Sequence, residues 1–260
     1  MRFPKAMLAA TVLVLVPQSV VPQFAASQSV PSQSAVPRSA APESLAGEPP
    51  VVEPSLIPNS EPASPRSESD PDGQARADYL AWLARSADAR AKVLAFNQFL
   101  RMEGLNDVVP NWELLRTASM WRDCNGPRFE VAPFAEWQHI AKSLHYIHDH
   151  VVPVIGPVQA VSGYRDDALN KCAKGAPESA HRHFYAIDLV PIRPLSHAGL
   201  IRSMCAIHQA DGGHYNVGLG FYNGMRFHID SKGYRRWGPD GSSATSPCVN
   251  PPRDGEGDRA

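Results

Sequence analysis

Apolar positions keep one rhythm along the chain up to Gly156 and another after it. Between Ala75 and Gly104, the residues Tyr79, Leu80, Trp82, Leu83, Val93, Leu94, Phe96, Phe99 and Leu100 recur at helical spacings. Ser86 or Asp88 marks a break between two helices there, and Gly104 ends the second. WELLRTASMW (112–121) reads as a short strand or an irregular segment. Pro133 then opens a helix over PFAEWQHIAKSLHYIHDHV (133–151), with apolar residues on one face and proline at its start.

Beyond Gly156 the repeat shortens. PVQAVSGYR (157–165) predicts a strand and turn, DDALNKCA (166–173) a short helix, and YAIDLV (185–190) a strand. SHAGLIRSMCAIHQAD (196–211) reads as a helix with Ser196 as N-cap. VGLGFY (217–222) and MRFHID (225–230) form two strands joined through Asn223-Gly224, a strong hairpin signal. No internal repeat is present. The order predicts an α+β domain, with helices packed on a small, largely antiparallel sheet.

Upstream of Ala75 neither rhythm holds. Arg2 and Lys5 precede an apolar run from Met7 to Val16, and small residues follow at Ala25 and Ser27, which predicts a signal peptide over 1–27. Pro17 and Pro22 interrupt the run well short of the roughly 20 apolar residues that a spanning helix needs, so no integral membrane domain is expected in the mature protein. Residues 28–74 are rich in Ser, Pro, Ala and Glu and read as a disordered tether. The folded domain is expected over 75–250, with a disordered tail at 251–260. Localisation should be periplasmic or extracellular.

Composition narrows the choices. A formal net charge of −1 over 260 residues gives no reason to expect nucleic acid as a partner. Cys124, Cys172, Cys205 and Cys248 are widely spaced, with no C-x-x-C pair, and an even count in an exported chain points to two disulfides. Of the three possible pairings, Cys124–Cys248 with Cys172–Cys205 is expected, tying the Pro/Ser/Gly-rich tail to the domain. Serine hydrolase order and phosphate-cradling glycine loops are absent.

Candidate chemistry concentrates in ESAHRHFYAIDLVP (178–191) and FHID (227–230). His228 and Asp230 are two apart, so they share one face of a strand. His181, Asp188 and His228 would make a set of two imidazoles and one carboxylate, which zinc accepts while keeping a fourth position for water. Asp230 would either orient a ligand imidazole from behind or cap a turn. His145, His148 and His150 in HYIHDH read instead as solvent-facing residues at a helix C-terminus, where positive charge is favoured. Trp82, Trp137 and Trp237 read as core or rim aromatics. Arg235 and Arg236 read either as a solvated strand end or as a hold on a substrate carboxylate.

SGYR (162–165), SAH with AIDL, GLGFY and RFHIDSKGYRRW together resemble the zinc D-Ala-D-Ala carboxypeptidases, within the wider group of lysostaphin-like and hedgehog-type metallopeptidases. Ser179, His181, Ala186 and Asp188 match that family's Ser-x-His-x-x-Gly-x-Ala-x-Asp motif, and His228 with Asp230 matches its later His-x-Asp. The resemblance runs from about Asn106 to Trp237. It implies one catalytic domain of hedgehog/D-Ala-D-Ala-peptidase-like α+β fold, with one Zn2+ held by His181, Asp188 and His228. It further implies that Arg165 contacts the substrate carbonyl or its transition state. Ser179 and Arg235 are expected as further substrate-binding positions. The implied reaction is hydrolysis of D-amino-acid peptide bonds in peptidoglycan stem peptides, as a carboxypeptidase or an endopeptidase.

Two positions depart from the pattern. Phe184 stands where the motif has glycine. Met225 stands three residues before His228, where many members carry a catalytic carboxylate, and a thioether takes no proton. His183, Glu178, Asp211 and His214 are the nearby replacements, none of them set by the motif. The alternative expectation is therefore a zinc-containing domain that binds peptidoglycan or a partner protein without cleaving it.

Overall fold

The structure, a computed structural model, describes residues 73–249 and 251. The expected signal peptide, nearly all of the tether and the tail from 252 onward lie outside the described residues. Order reaches further upstream than expected. Gln74 is fully buried, donating from Nε2 to the Arg128 carbonyl (2.6 Å) and accepting from Arg116 Nε at its own carbonyl (3.0 Å).

Helices α1 (Arg76–Arg85) and α2 (Ala87–Met102) follow the first rhythm and divide at Ser86, whose extended backbone and Oγ, accepting from the Ala89 amide at 3.0 Å, cap the second. The segment at Trp112 holds a short helix, α3 (Asn111–Leu114), and then a single antiparallel bridge between Arg116 and Phe129. After Pro133 a 3-10 turn (Phe134–Glu136) leads into α4 (Trp137–Tyr146). The helical path does not stop at Val151. A π-helical turn (Ile147–Val151) carries it into α5 (Val152–Ile155). That wider turn lies just before Pro153, whose ring would crowd the Asp149 carbonyl in a regular helix.

The second half supplies β1 (Val158–Ser162), α6 (Asp167–Cys172), β2 (Ala186–Pro191), α7 (His197–Ala210), β3 (Gly218–Phe221), β4 (Phe227–Asp230) and β5 (Arg235–Trp237). The sheet runs in the order β1-β2-β4-β3-β5, antiparallel except for the β3–β5 pair. The β3–β4 connection uses one left-handed residue, Gly224 (φ 74°), and Tyr222 donates to the Arg226 carbonyl across it.

Alternation along the strands sorts the chemistry. Ile187, Leu189, Leu219, Phe221, Phe227 and Ile229 are all buried in the core, where α4 packs on β2 and β4. Asp188, His228 and Asp230 occupy the opposite face, with Gly218 and Gly220 beside them on β3. A buried arginine steadies the edge of that face. Arg116 lies over the Trp112 ring and donates Nη1 to the Ala160 carbonyl (2.7 Å), while Glu113 accepts from the Ala160 amide (3.0 Å). Just beyond β1, Gly163 donates to the Arg116 carbonyl at 2.7 Å.

The disulfides differ from the expected pairing. They join Cys124 to Cys172 and Cys205 to Cys248, with Cα atoms 5.7 and 5.3 Å apart, in place of Cys124–Cys248 and Cys172–Cys205. The tail is tied down as anticipated, but onto α7. Cys172 is taken instead by the loop before Gly126, which α6 approaches so closely that a methyl on Gly126 would meet Leu169 at 2.9 Å.

Candidate metal centre

Three elements converge on one point of the sheet. A 3-10 turn (Ala180–His183) carries His181, the middle of β2 carries Asp188, and β4 carries His228 directly across from Asp188 in register. His181 Nε2, His228 Nδ1 and Asp188 Oδ1 form a triangle with edges of 3.2, 3.3 and 3.0 Å. Ligand atoms about 2.0–2.1 Å from a four-coordinate tetrahedral cation stand about 3.3–3.4 Å apart, so the triangle has the size of one face of such a site. All three side chains are buried, and they are the only His/Cys/Asp/Glu group of this kind among the described residues.

The far nitrogen of each ring is already committed. His181 Nδ1–H donates to the Gly163 carbonyl at 2.6 Å, and His228 Nε2–H donates to Asp230 Oδ2 at 2.8 Å. Both rings therefore turn their remaining nitrogen toward Asp188. With neutral rings, two nitrogen lone pairs and a carboxylate oxygen face one another, an arrangement that calls for a cation. Burial, with Arg165 adding to it, pushes His181 down to about 4, so it is neutral near pH 7. Burial pulls His228 down as well, but its hydrogen bonds to Asp188 and Asp230 outweigh it and leave the group raised. A proton on His228 Nδ1 and a metal ion are thus rivals for one position. For Asp188, burial works upward and loses to His181 and Arg226, which hold the carboxyl well below the usual range.

A second layer fixes the first. Arg235 grips Asp230 with both terminal nitrogens (2.8 and 2.7 Å). Against burial, the His228 hydrogen bond and this guanidinium bring Asp230 down to about 2. Glycines make room for this layer. A Cβ on Gly218 would lie 2.3 Å from Asp230 Oδ2, and one on Gly220 would lie 2.0 Å from the Trp237 ring, which rests 5.2 Å from the His228 ring. Gly163 is constrained likewise, since a Cβ there would meet the Leu114 carbonyl at 2.3 Å.

Asp188 also accepts from Tyr222 OH at Oδ1 (3.0 Å) and from two guanidiniums at Oδ2, Arg165 Nη2 (3.0 Å) and Arg226 Nη2. Arg165 donates Nε to Ser162 Oγ at 3.2 Å. Ser179 Oγ accepts from the His181 amide at 3.4 Å and so caps the turn that carries His181. The fork of Arg235, one candidate hold on a substrate, closes on Asp230 instead. Phe184 occupies the glycine position of the motif in a left-handed conformation (φ 51°, ψ 28°), with its ring buried against Phe96 and Tyr164.

Met225 is partly buried against the core. Of the nearby replacements, His183 reaches Glu136 (3.3 Å), Asp211 reaches His150 (3.3 Å), Glu178 is exposed beside Lys232, and His214 is exposed against Tyr215. None of them contacts a donor of the triangle. His145 and His148 pair separately with Glu103 and Asp149. Sequence reasoning passed over Arg226 and Tyr222. Strand alternation was the signal that could have found them, because Arg226 is two residues before His228 and Tyr222 two after Gly220.

No family model, curated protein or solved structure matches the chain. No helix of the described residues is long and apolar enough to cross a membrane.

Proposed function

We propose that this chain is an exported zinc-dependent hydrolase that cuts D-amino-acid peptide bonds in peptidoglycan stem peptides. The observation that carries this reading is the buried triangle of His181 Nε2, Asp188 Oδ1 and His228 Nδ1, sized for a tetrahedral ion and oriented by outer hydrogen bonds. Two imidazoles and a carboxylate are a zinc set, and three protein ligands leave one position for reaction. When bound, zinc would acidify a water and polarise a carbonyl. Arg165, held by Ser162 and Asp188 at the edge of the triangle, is a cation to hand for a carbonyl oxygen, as the sequence resemblance implies. The sequence resemblance supplies the substrate class. The two disulfides suit an oxidising compartment, periplasmic or extracellular.

The test incubates the purified protein with peptidoglycan fragments, with and without zinc, beside His181→Ala, and reads products by mass spectrometry. Zinc-dependent new ends that vanish in His181→Ala support the reading. Cleavage that persists without metal overturns it.

One observation favours a second reading. Met225 packs on the core and offers no proton acceptor, so a metal-bearing domain that binds peptidoglycan without cutting it accounts for the same centre. It requires saturable binding to cell-wall material with no new ends over long incubation. A product that depends on His228 excludes it.

A further inference from the structure

Asp188 has little acceptor capacity left. A carboxylate offers about four lone-pair directions. On Oδ2 two are taken, by Nη2 of Arg165 (3.0 Å) and Nη2 of Arg226, and on Oδ1 one is taken by the Tyr222 hydroxyl (3.0 Å). The direction that remains belongs to Oδ1, which lies 3.3 Å from His181 Nε2 and 3.0 Å from His228 Nδ1. The whole side chain is buried.

Tyr222 stands behind both oxygens. Its hydroxyl reaches Oδ1 directly, and its ring carries the Arg226 guanidinium, whose carbon lies 4.7 Å from the ring centroid and whose Nη2 reaches Oδ2. The ring is itself fixed edge-on against Trp237 at 5.1 Å, and Trp237 packs on His228 at 5.2 Å. One tyrosine thereby links Asp188 of β2 to His228 of β4.

The number of free carboxylate oxygens decides which ions such a centre accepts. Calcium takes about six to eight oxygens and readily uses both of one carboxylate. Zinc is satisfied by one carboxylate oxygen beside two imidazoles. With Oδ2 closed by two guanidiniums, Asp188 offers only what the second kind of ion needs.

We propose that Tyr222 is the positioning residue of Asp188: it confines the carboxylate to one-oxygen contact with an ion, and the centre thereby selects a small four-coordinate cation over calcium. This rests on the metal reading above and deepens it. Tyr222 acts through Asp188 and Arg226, not as a ligand.

The test uses the purified full chain and cobalt(II) as probe, because cobalt absorbs visible light strongly in a four-coordinate site and weakly with five or six ligands. Wild type should bind one equivalent with strong absorption, and excess calcium should leave the spectrum unchanged. Tyr222→Phe keeps the ring under Arg226 and loses only the hydroxyl. It should bind zinc about 10- to 100-fold more weakly in competition with a chelator, and its cobalt absorption should fall as the carboxylate turns. Arg226→Met, which opens Oδ2, should weaken the absorption likewise, and it decides the matter if Tyr222→Phe does not fold. A tyrosine with a merely structural role would lower the denaturation midpoint of the metal-free protein and leave the cobalt spectrum as in wild type. That result, weak absorption in the wild type or displacement of cobalt by calcium overturns the proposal and leaves the metal reading standing. Failure of the wild type to bind either cobalt or zinc overturns both.

Discussion

Arg235 holds Asp230 through two parallel hydrogen bonds, and Asp230 in turn accepts from the ring nitrogen of His228 that points away from the donor triangle. An ion pair between β5 and β4 thereby sets the tautomer of a candidate metal ligand. Asp230→Asn keeps the shape and loses the charge. Metal affinity should fall by about 10- to 100-fold, as for other outer partners of ligand imidazoles. Competition with a chelator measures it, and an unchanged affinity would show that the backbone alone orients His228.

Gly220 should tolerate no side chain. A methyl there would sit 2.0 Å from the Trp237 indole, which also packs 5.1 Å from the Tyr222 ring. Gly220→Ala should cost about 1–3 kcal/mol by overpacking. In a Trp237→Ala background the same change should be close to neutral. Urea denaturation of the four proteins tests this, and equal losses in both backgrounds would refute the clash.

Phe184 sets two effects against each other. Its left-handed backbone costs an L-residue about 1–2 kcal/mol, which glycine would recover. Its ring is fully buried, and removing a buried aromatic costs about 3–5 kcal/mol. Burial wins, so Phe184→Gly should lose about 2–3 kcal/mol even though it restores the residue of the motif. A raised denaturation midpoint would mean that the backbone term is the larger.

Glu130 should make stability fall with rising pH. Burial first, then Asp166, pushes its carboxyl up to about 7 against a weaker pull from Lys92, and its Oε2 is buried without a partner. The folded protein keeps that proton up to about pH 7, whereas the unfolded chain releases it near 4.5. Stability from this group is therefore fully present below about 4.5, declines as pH rises to about 7 and is flat above. Glu130→Gln should remove the decline, giving a protein on the order of 1–3 kcal/mol more stable than wild type at pH 8 and similar to it at pH 4.5. Parallel pH profiles of the two would rule this out.

Local pattern carried much of the fold. The helices around Tyr79–Leu100 and the strands around Asp188 and His228 could be read because each buries one face, and burial leaves a period in the sequence. The triangle was legible from His181, Asp188 and the His228–Asp230 spacing. What escaped depends on contacts between distant segments. β5 joins β3 in parallel through three residues, too few to show a period. Gln74 looks like the end of a polar tether until the Arg128 carbonyl and Arg116 claim it. The helical path runs past Val151, where the expected helix ended, because a widened turn absorbs the Pro153 ring. Arg226 and Tyr222 have ordinary sequence surroundings, and only the register across β2, β4 and β3 brings them to Asp188.

The cysteine connectivity bears on how the chain is made. First joins second and third joins fourth, closing separations of 48 and 43 residues that do not overlap. Oxidation of the thiols in their order along the chain would reach these partners at the first attempt, with no reshuffling. The stretch from His181 to Asp188 lies between the two closed loops, and His228 lies inside the second. His228 is thus supplied by the segment whose ends the second disulfide joins, while His181 and Asp188 come from the stretch between the two closed loops.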